Sequence, residues 1–343
     1  MTTLECHKIG HKNYFNNKYF FSFTANIIRY CNYKCSYCWE EYNSKDKTDY
    51  IPHDVLHRTQ QQIVNHCNKN NFKSLYLFYS GGEPLWHPEI FDILKSTKEY
   101  DINIAMAITT NLSRDMEFFK QFVDIIKEYN IDMTISATLH HEFINTEHKF
   151  DNFLKKVQFL DENNIEIRIN FVMNKNIFWK QVDQTEIFKK YNIASVLKHL
   201  RVRADLVEEL GTDKMEVYDE DMINYLKPEA TTTKDKSKII WYDNFGDEHY
   251  FSHQIHTVVH DIRNYYQFYC NSGYTSLAME FDGDLFRGYA CAGVQQLGNA
   301  YTGFQLLDDC QPCEFNGNCL PIDIVSIKSK EYFDNKKLNY ERI

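Results

Sequence analysis

The chain is poor in the residues that punctuate structure, with 12 glycines and 6 prolines among 343 residues. Collagen-like repeats and Pro/Gly-rich disordered tracts are thereby excluded. Also missing is any apolar run near the roughly 20 residues that a membrane-spanning helix requires. The polar opening from Met1 to Lys18 lacks the basic-then-apolar order of a signal peptide. A cytoplasmic protein with no membrane partner is the expectation. Positive charge is in deficit: 38 Lys and Arg face 48 Asp and Glu, a net charge of −10. That balance argues against a sequence-independent grip on nucleic acid, which comes from neutralising phosphates. What is present is an ordinary globular mixture, 43% hydrophobic and 25% charged, with ten cysteines. In a reducing compartment those thiols are metal ligands, catalytic groups or core residues rather than disulfides.

Short β-like runs alternate with runs of helical period through the first two hundred residues, the pattern of βα units around a parallel sheet. Strands are predicted at Phe20 to Ile27, Leu75 to Tyr79, Asn103 to Thr109, Ile131 to Ala137, Ile165 to Val172 and Val196 to Arg203. Between them, Phe118, Phe119, Phe122, Val123 and Ile126 recur at helical spacing and read as a core stripe. Beyond Ala204 the chain turns polar, and Asp213 to Glu220 and Pro228 to Lys238 read as loop. His249 to Cys270 reads as helix, and Thr275 to Leu285 as two short strands around Asp282-Gly283-Asp284. The fold class expected is α/β, a partial (β/α)6 TIM-like barrel with a small cysteine-rich β-hairpin and loop extension. The division expected is an N-terminal extension at 1–19, the barrel at 20–204, a bridge at 205–269 and the cysteine-rich domain at 270–343.

Directly after the first predicted strand come Cys31, Cys35 and Cys38, spaced C-x3-C-x2-C. Thiolates suit iron–sulfur clusters and zinc alike, so the triplet alone does not name the metal. A structural zinc site normally has a fourth Cys or His close by, whereas the nearest here is His53. An incomplete cage leaves one position for a substrate or cofactor. The second predicted strand runs into Ser80-Gly81-Gly82-Glu83-Pro84. Two glycines let backbone approach a ligand closely, and an acidic side chain faces a cation; a tight turn heading a helix is the alternative.

The cysteine triplet with aromatic Tyr37 before its third member, and the Gly81-Gly82-Glu83-Pro84 turn at the next strand end, resemble the motifs of the radical S-adenosylmethionine (SAM) superfamily. The resemblance implies a [4Fe-4S] cluster on Cys31, Cys35 and Cys38, whose open iron chelates SAM. It implies reductive cleavage of SAM to a 5′-deoxyadenosyl radical that takes hydrogen from a substrate. Gly81, Gly82 and Glu83 would hold the methionine ammonium, and Tyr37 would border the adenine. Ser136, Arg168 and Asn170, on later strands, would meet the ribose and carboxylate; an inward polar residue satisfied within the barrel is the alternative for each. A reducing partner such as a flavodoxin or ferredoxin follows from the same chemistry.

Five more cysteines crowd the last quarter: Cys270, Cys291, Cys310, Cys313 and Cys319. This resembles the twitch or SPASM extension, which implies auxiliary iron–sulfur clusters. No cysteine follows Cys319, so five thiols fall short of two clusters. One auxiliary cluster is expected on Cys291, Cys310, Cys313 and Cys319, with Cys270 as the substitute, and a zinc tail as the alternative. Relatives of this type suggest a peptide substrate first, and a carbohydrate, nucleoside or other small metabolite second. With the first strand predicted to begin near Phe20, the expectation is that no leader-binding domain precedes it. An iron–sulfur electron carrier or zinc protein that never cleaves SAM is the rival of another class. His249, His253, His256 and His260 share a helical face if that segment is helix, and His199, Arg201 and Arg203 alternate along the sixth strand. Cys6 and Cys67 have no partner at ligand spacing.

Overall fold

The computed structural model describes residues 3–5, 20–38, 44–198, 219–231, 239–242, 248–251, 268–270, 272–288, 291, 295–308, 311–312 and 327–329. After a short strand β1 (Thr3–Glu5), six strands carry the fold: β2 (Phe20–Ile28), β3 (Ser74–Gly81), β4 (Asn103–Thr110), β5 (Asp132–Leu139), β6 (Glu166–Val172) and β7 (Ala194–Lys198). They pair in chain order and all in parallel. Helices α1 (His53–Lys69), α2 (Ile90–Ser96), α3 (Met116–Glu128), α4 (Glu147–Glu162) and α5 (Phe178–Lys190) make the crossovers. This is the α/β architecture of a partial, unclosed barrel.

Alternation along the strands separates two faces. Parallel register puts Ala25, Tyr79, Ile108, Ile135 and Ile167 on one face, each buried in the core under the helices. The opposite face carries Asn26, Ser80, Thr109, Ser136, Arg168 and Asn170. A polar inner face is what a barrel needs if its mouth is to receive a polar ligand.

With glycine scarce, asparagine ends the helices. Asn71, Asn130, Asn164 and Asn192, following α1, α3, α4 and α5, have φ between 46° and 61°. In each case the next residue's N–H closes back five residues: Phe72 to Cys67 O, Ile131 to Ile126 O, Ile165 to Leu160 O and Ile193 to Phe188 O. These are left-handed caps with an apolar residue returning to the core. At the other end of α3, Asp115 caps by accepting from Phe118 N at 2.8 Å.

The C-terminal part contributes a helix α6 (Glu220–Thr231) and strands β8 (Ile239–Tyr242), β9 (Glu248–Phe251), β10 (Phe268–Cys270), β11 (Ser276–Met279), β12 (Asp284–Phe286), β13 (Gln296–Asn299), β14 (Gly303–Phe304), β15 (Gln311–Pro312) and β16 (Ile327–Ser329). The expected hairpin is β11–β12. Its first strand lies parallel to β2, pairing Ser276 with Ser22 and Ala278 with Thr24, so the main sheet runs β14-β13-β12-β11-β2 to β7. The second sheet has the order β15-β10-β16-β1-β8-β9, and through it the Thr3–Glu5 segment pairs with strands from the C-terminal part.

Two expectations are corrected and a third is described only in part. Pro228 lies within helix α6, not in a loop. The helix expected over His249 to Cys270 is strand at both ends, β9 and β10, and His253, His256 and His260 lie outside the described residues. At both ends the backbone pairs across the sheet, β9 with β8 and β10 with β15 and β16, and such pairing overrides local period. The sixth barrel strand is described as Ala194–Lys198, with His199, Arg201 and Arg203 outside the described residues.

Candidate active site at the strand ends

The cysteines sit on the loop that leaves β2, and the turn after β3 is fastened against that loop. Gly82 N–H donates to Ile28 O at 2.7 Å, and Glu83 N–H to Tyr30 O at 2.9 Å. A Cβ on Gly81, whose φ is +126°, would stand 2.3 Å from Ile28 O, and one on Gly82 would stand 2.3 Å from Tyr30 O. The glycines therefore serve a close approach of this turn to the chain's own backbone at Ile28 and Tyr30.

Glu83 is fully buried and answered from three sides. Thr110 Oγ1 and Leu85 N donate to its Oε1 at 2.6 and 3.2 Å, and Asn111 N donates to its Oε2 at 2.6 Å. Burial pushes its carboxyl up to about 7 against the lowering effect of those bonds. Two residues at the end of β4 and just beyond it, Thr110 and Asn111, thus hold Glu83. The signal for this in the sequence was a Thr-Asn pair at a strand end one unit beyond the acidic turn.

Asn111 continues from Glu83 toward the cysteines. Its Nδ2 lies 3.1 Å from Asn32 Oδ1 and 3.9 Å from Cys31 Sγ. On the other side, His140 at the end of β5 faces Cys35: Nδ1 is 3.2 Å from Cys35 Sγ and 2.7 Å from the Tyr37 hydroxyl. Sequence reading missed His140. Burial pushes the Cys31 and Cys35 thiols up to about 12, with repulsion from the neighbouring cysteines among the smaller causes. A soft metal that replaces the thiol protons relieves that penalty.

The three thiols, with side-chain nitrogens of Asn111 and His140 beside two of them, fit a sulfur-ligated cluster. Among the described residues no three Cys, His, Asp or Glu side chains converge on one point to hold a single metal ion. A cubane does not ask for such convergence, because each cysteine takes a different iron.

Ser136, Arg168 and Asn170 come together on the inner face. Ser136 and Arg168 are paired in register, and Asn170 Nδ2 donates to Ser136 Oγ at 2.7 Å. Asn170 is 1% exposed, and its Oδ1 has no hydrogen-bond partner. A buried acceptor left open on a polar barrel face fits a ligand that donates to it.

Of the C-terminal cysteines, Cys291 is buried. Cys270 is described as the last residue of β10, in register with Gln311, whose sequence neighbour is Cys310. Arg287 ties this region to the hairpin, donating to Ser272 O at 2.8 Å and to Gln311 O at 3.2 Å. Cys310, Cys313 and Cys319 lie outside the described residues. A cavity of about 610 Å³, lined by Thr97, Tyr100, Asn103 and Asn130 among others, opens at the N-terminal ends of β4 and β5, away from the cysteines.

Residues 25–186 match the family model described as "Radical SAM superfamily". Among curated proteins the chain is similar to the radical SAM cyclopropyl synthase TigE of Paramaledivibacter caminithermalis, 28% identical over 184 residues, covering 48% of this chain and 38% of that protein. It is also similar to GTP 3′,8-cyclase of Clostridium perfringens, 26% identical over 167 residues, 48% of each chain. The chain thus spans about half the length or less of these relatives. Among solved structures it shares its fold with SuiB of Streptococcus suis (TM-score 0.54, 17% identity, 83% of this chain and 64% of that one). It shares it equally with anSMEcpe bound to AdoMet and a peptide (TM-score 0.55, 14% identity, 82% and 78%).

Proposed function

From the premise that the chain carries a radical SAM domain over residues 25–186, we propose that Cys31, Cys35 and Cys38 hold a [4Fe-4S] cluster at which SAM is cleaved to start hydrogen abstraction from a substrate. The carrying observation is the fastening of the Gly81-Gly82-Glu83 turn to the cysteine loop through Ile28 O and Tyr30 O. When bound, the cluster and SAM supply reductive scission of the S–C5′ bond and a 5′-deoxyadenosyl radical. The chain's own part is to bind, orient and exclude water.

Glu83 is held by three donors, leaving by count one of a carboxylate's roughly four lone-pair sites for an ammonium. Asn170 Oδ1 offers an acceptor beside Ser136, and Arg168 a cation on the same face for a carboxylate. Tyr37 borders the adenine. We place the barrel at 20–204, the bridge at 205–269 and the auxiliary domain at 270–343, with one further iron–sulfur cluster on Cys291, Cys310, Cys313 and Cys319, or with Cys270 in place of one of them. The register of Cys270 against Gln311 supports the gathering of these thiols. The electron comes from a flavodoxin- or ferredoxin-type partner.

A peptide is the substrate class we favour, modified by crosslinking, epimerisation or oxidation. SuiB, solved with its precursor peptide SuiA, and anSMEcpe, solved with peptides, share the fold. A nucleotide is the second reading, favoured by the similarity to GTP 3′,8-cyclase.

The test is anaerobic reconstitution, iron and sulfide counting, and an assay for 5′-deoxyadenosine under a strong reductant. About eight irons with product formation is the expected result for two [4Fe-4S] clusters. Product formation by a Cys31→Ala, Cys35→Ala, Cys38→Ala protein, or tightly bound zinc with no product from the folded wild type, overturns the reading.

A further inference from the structure

The segment after β5 grips the cysteine loop. Phe143 stacks on Tyr33 with ring centroids 4.2 Å apart and planes 3° from parallel. The Glu142 carboxylate accepts from Ser36 N at 2.8 Å and from the Ser36 hydroxyl. His140 lies nearly parallel to Tyr37, 12° between planes, and meets Tyr33 edge-on. Four consecutive residues, 140–143, thus supply three side chains that fix Tyr33, Cys35, Ser36 and Tyr37. Two of the grips are ordinary packing and hydrogen bonding. The third places a ring nitrogen 3.2 Å from a sulfur.

We infer that His140 is a positioning residue that donates a hydrogen bond from Nδ1 to Cys35 Sγ when that sulfur is a metal-bound thiolate, and thereby raises the reduction potential of the cluster. This rests on the reading of Cys35 as a cluster ligand. The reasoning follows the protons. In the metal-free loop Cys35 is a thiol and can donate to Nδ1. Metal binding removes that proton, and a thiolate can only accept. The hydrogen bond survives only if Nδ1 carries a hydrogen, which in the neutral ring leaves Nε2 bare. Tyr37, whose hydroxyl is 2.7 Å from the same Nδ1, then serves as a second acceptor, and the stacked geometry keeps the ring from turning away. A hydrogen bond to a cluster sulfur favours the more electron-rich reduced state.

Two variants of the full chain separate donor from packing. His140→Phe keeps an aromatic ring against Tyr37 and removes Nδ1, while His140→Asn puts an amide nitrogen near the place of Nδ1. The reading is the midpoint potential of the SAM-binding cluster, from an EPR-monitored redox titration without substrate, alongside the iron count. At wild-type iron content, a more negative midpoint in His140→Phe that returns toward wild type in His140→Asn is expected. An unchanged midpoint in His140→Phe, or equal shifts in both variants, overturns the inference. If His140→Phe holds no iron, His140→Asn decides: full iron at the wild-type potential supports it, and loss of iron there too overturns it. A wild type that assembles no cluster fails the parent reading instead.

Discussion

Gly82 N–H and Ile28 O stand 2.7 Å apart, and that bond joins the turn after β3 to the last residue of β2. The contact leaves no space: a Cβ at position 82 would meet Tyr30 O at 2.3 Å and Arg29 O at 2.5 Å, both backbone atoms. Gly82→Ala must therefore move the strand end that leads to Cys31. A loss of about 3 kcal/mol in urea unfolding is expected, with reduced iron uptake on reconstitution. Wild-type stability in this variant would show that the two backbones are not bound together as described.

Glu83 depends on Thr110 more than on its place in the turn. Thr110 Oγ1 donates to Glu83 Oε1 at 2.6 Å and accepts from Leu112 N at 3.0 Å, so one hydroxyl serves two buried groups. Thr110→Val keeps the volume and loses both bonds, at a cost of about 2 kcal/mol. Thr110→Ser should recover most of it. Loss of a donor also favours the protonated carboxyl, so Glu83 should stay protonated to higher pH in the valine variant, as read by isotope-edited infrared titration. A carboxyl titrating as in wild type would argue that Thr110 does not hold it.

Asparagine caps are a device that sequence reading passed over. Asn164 has φ 61° after α4, and Ile165 N–H returns to Leu160 O at 3.1 Å. Asn164→Ala should cost about 1 kcal/mol, because a Cβ without a local polar group is poorly placed in the left-handed region. Asn164→Gly should cost nothing or stabilise. Equal losses for both variants would point to the Asn side chain rather than its backbone.

Those caps also mark where the sequence was legible. Strand cores showed because apolar alternation reports burial directly, and the boundaries of β2 and β4 came out within one residue of expectation. The Asn130-Ile131 and Asn192-Ile193 pairs were in plain view, yet asparagine reads as generic loop unless a left-handed cap is sought. Long-range partners were not legible. Nothing local in Ser276–Met279 says that it lies parallel to β2, about 250 residues earlier. Nor does His140 announce its neighbours, since its closeness to Cys35 comes from the order of strands in the sheet. The cysteine spacing and the Gly-Gly-Glu-Pro turn were readable because adjacent strand ends supply them from short, unbroken segments.

Buried histidine gives the fold a pH dependence away from the cysteines. His87 is 2% exposed; its Nε2 donates to Ile51 O at 2.9 Å and its Nδ1 accepts from Glu89 N at 3.1 Å. Since a carbonyl only accepts and an amide only donates, the ring is neutral with its hydrogen on Nε2. Burial lowers its pKa to about 4, against the bond to Ile51. The unfolded chain, with an ordinary histidine near 6.5, therefore binds more protons than the fold between these values. Stability from this group is complete above about 6.5 and is lost as pH falls toward 4. Between pH 7 and pH 5 the loss is about 2 kcal/mol. His87→Gln has no such proton to take up, so urea unfolding at the two pH values should show a smaller loss for the variant by about that amount. Equal losses in wild type and variant would mean that His87 can take a proton inside the fold, and that its environment is wetter than its two hydrogen bonds imply.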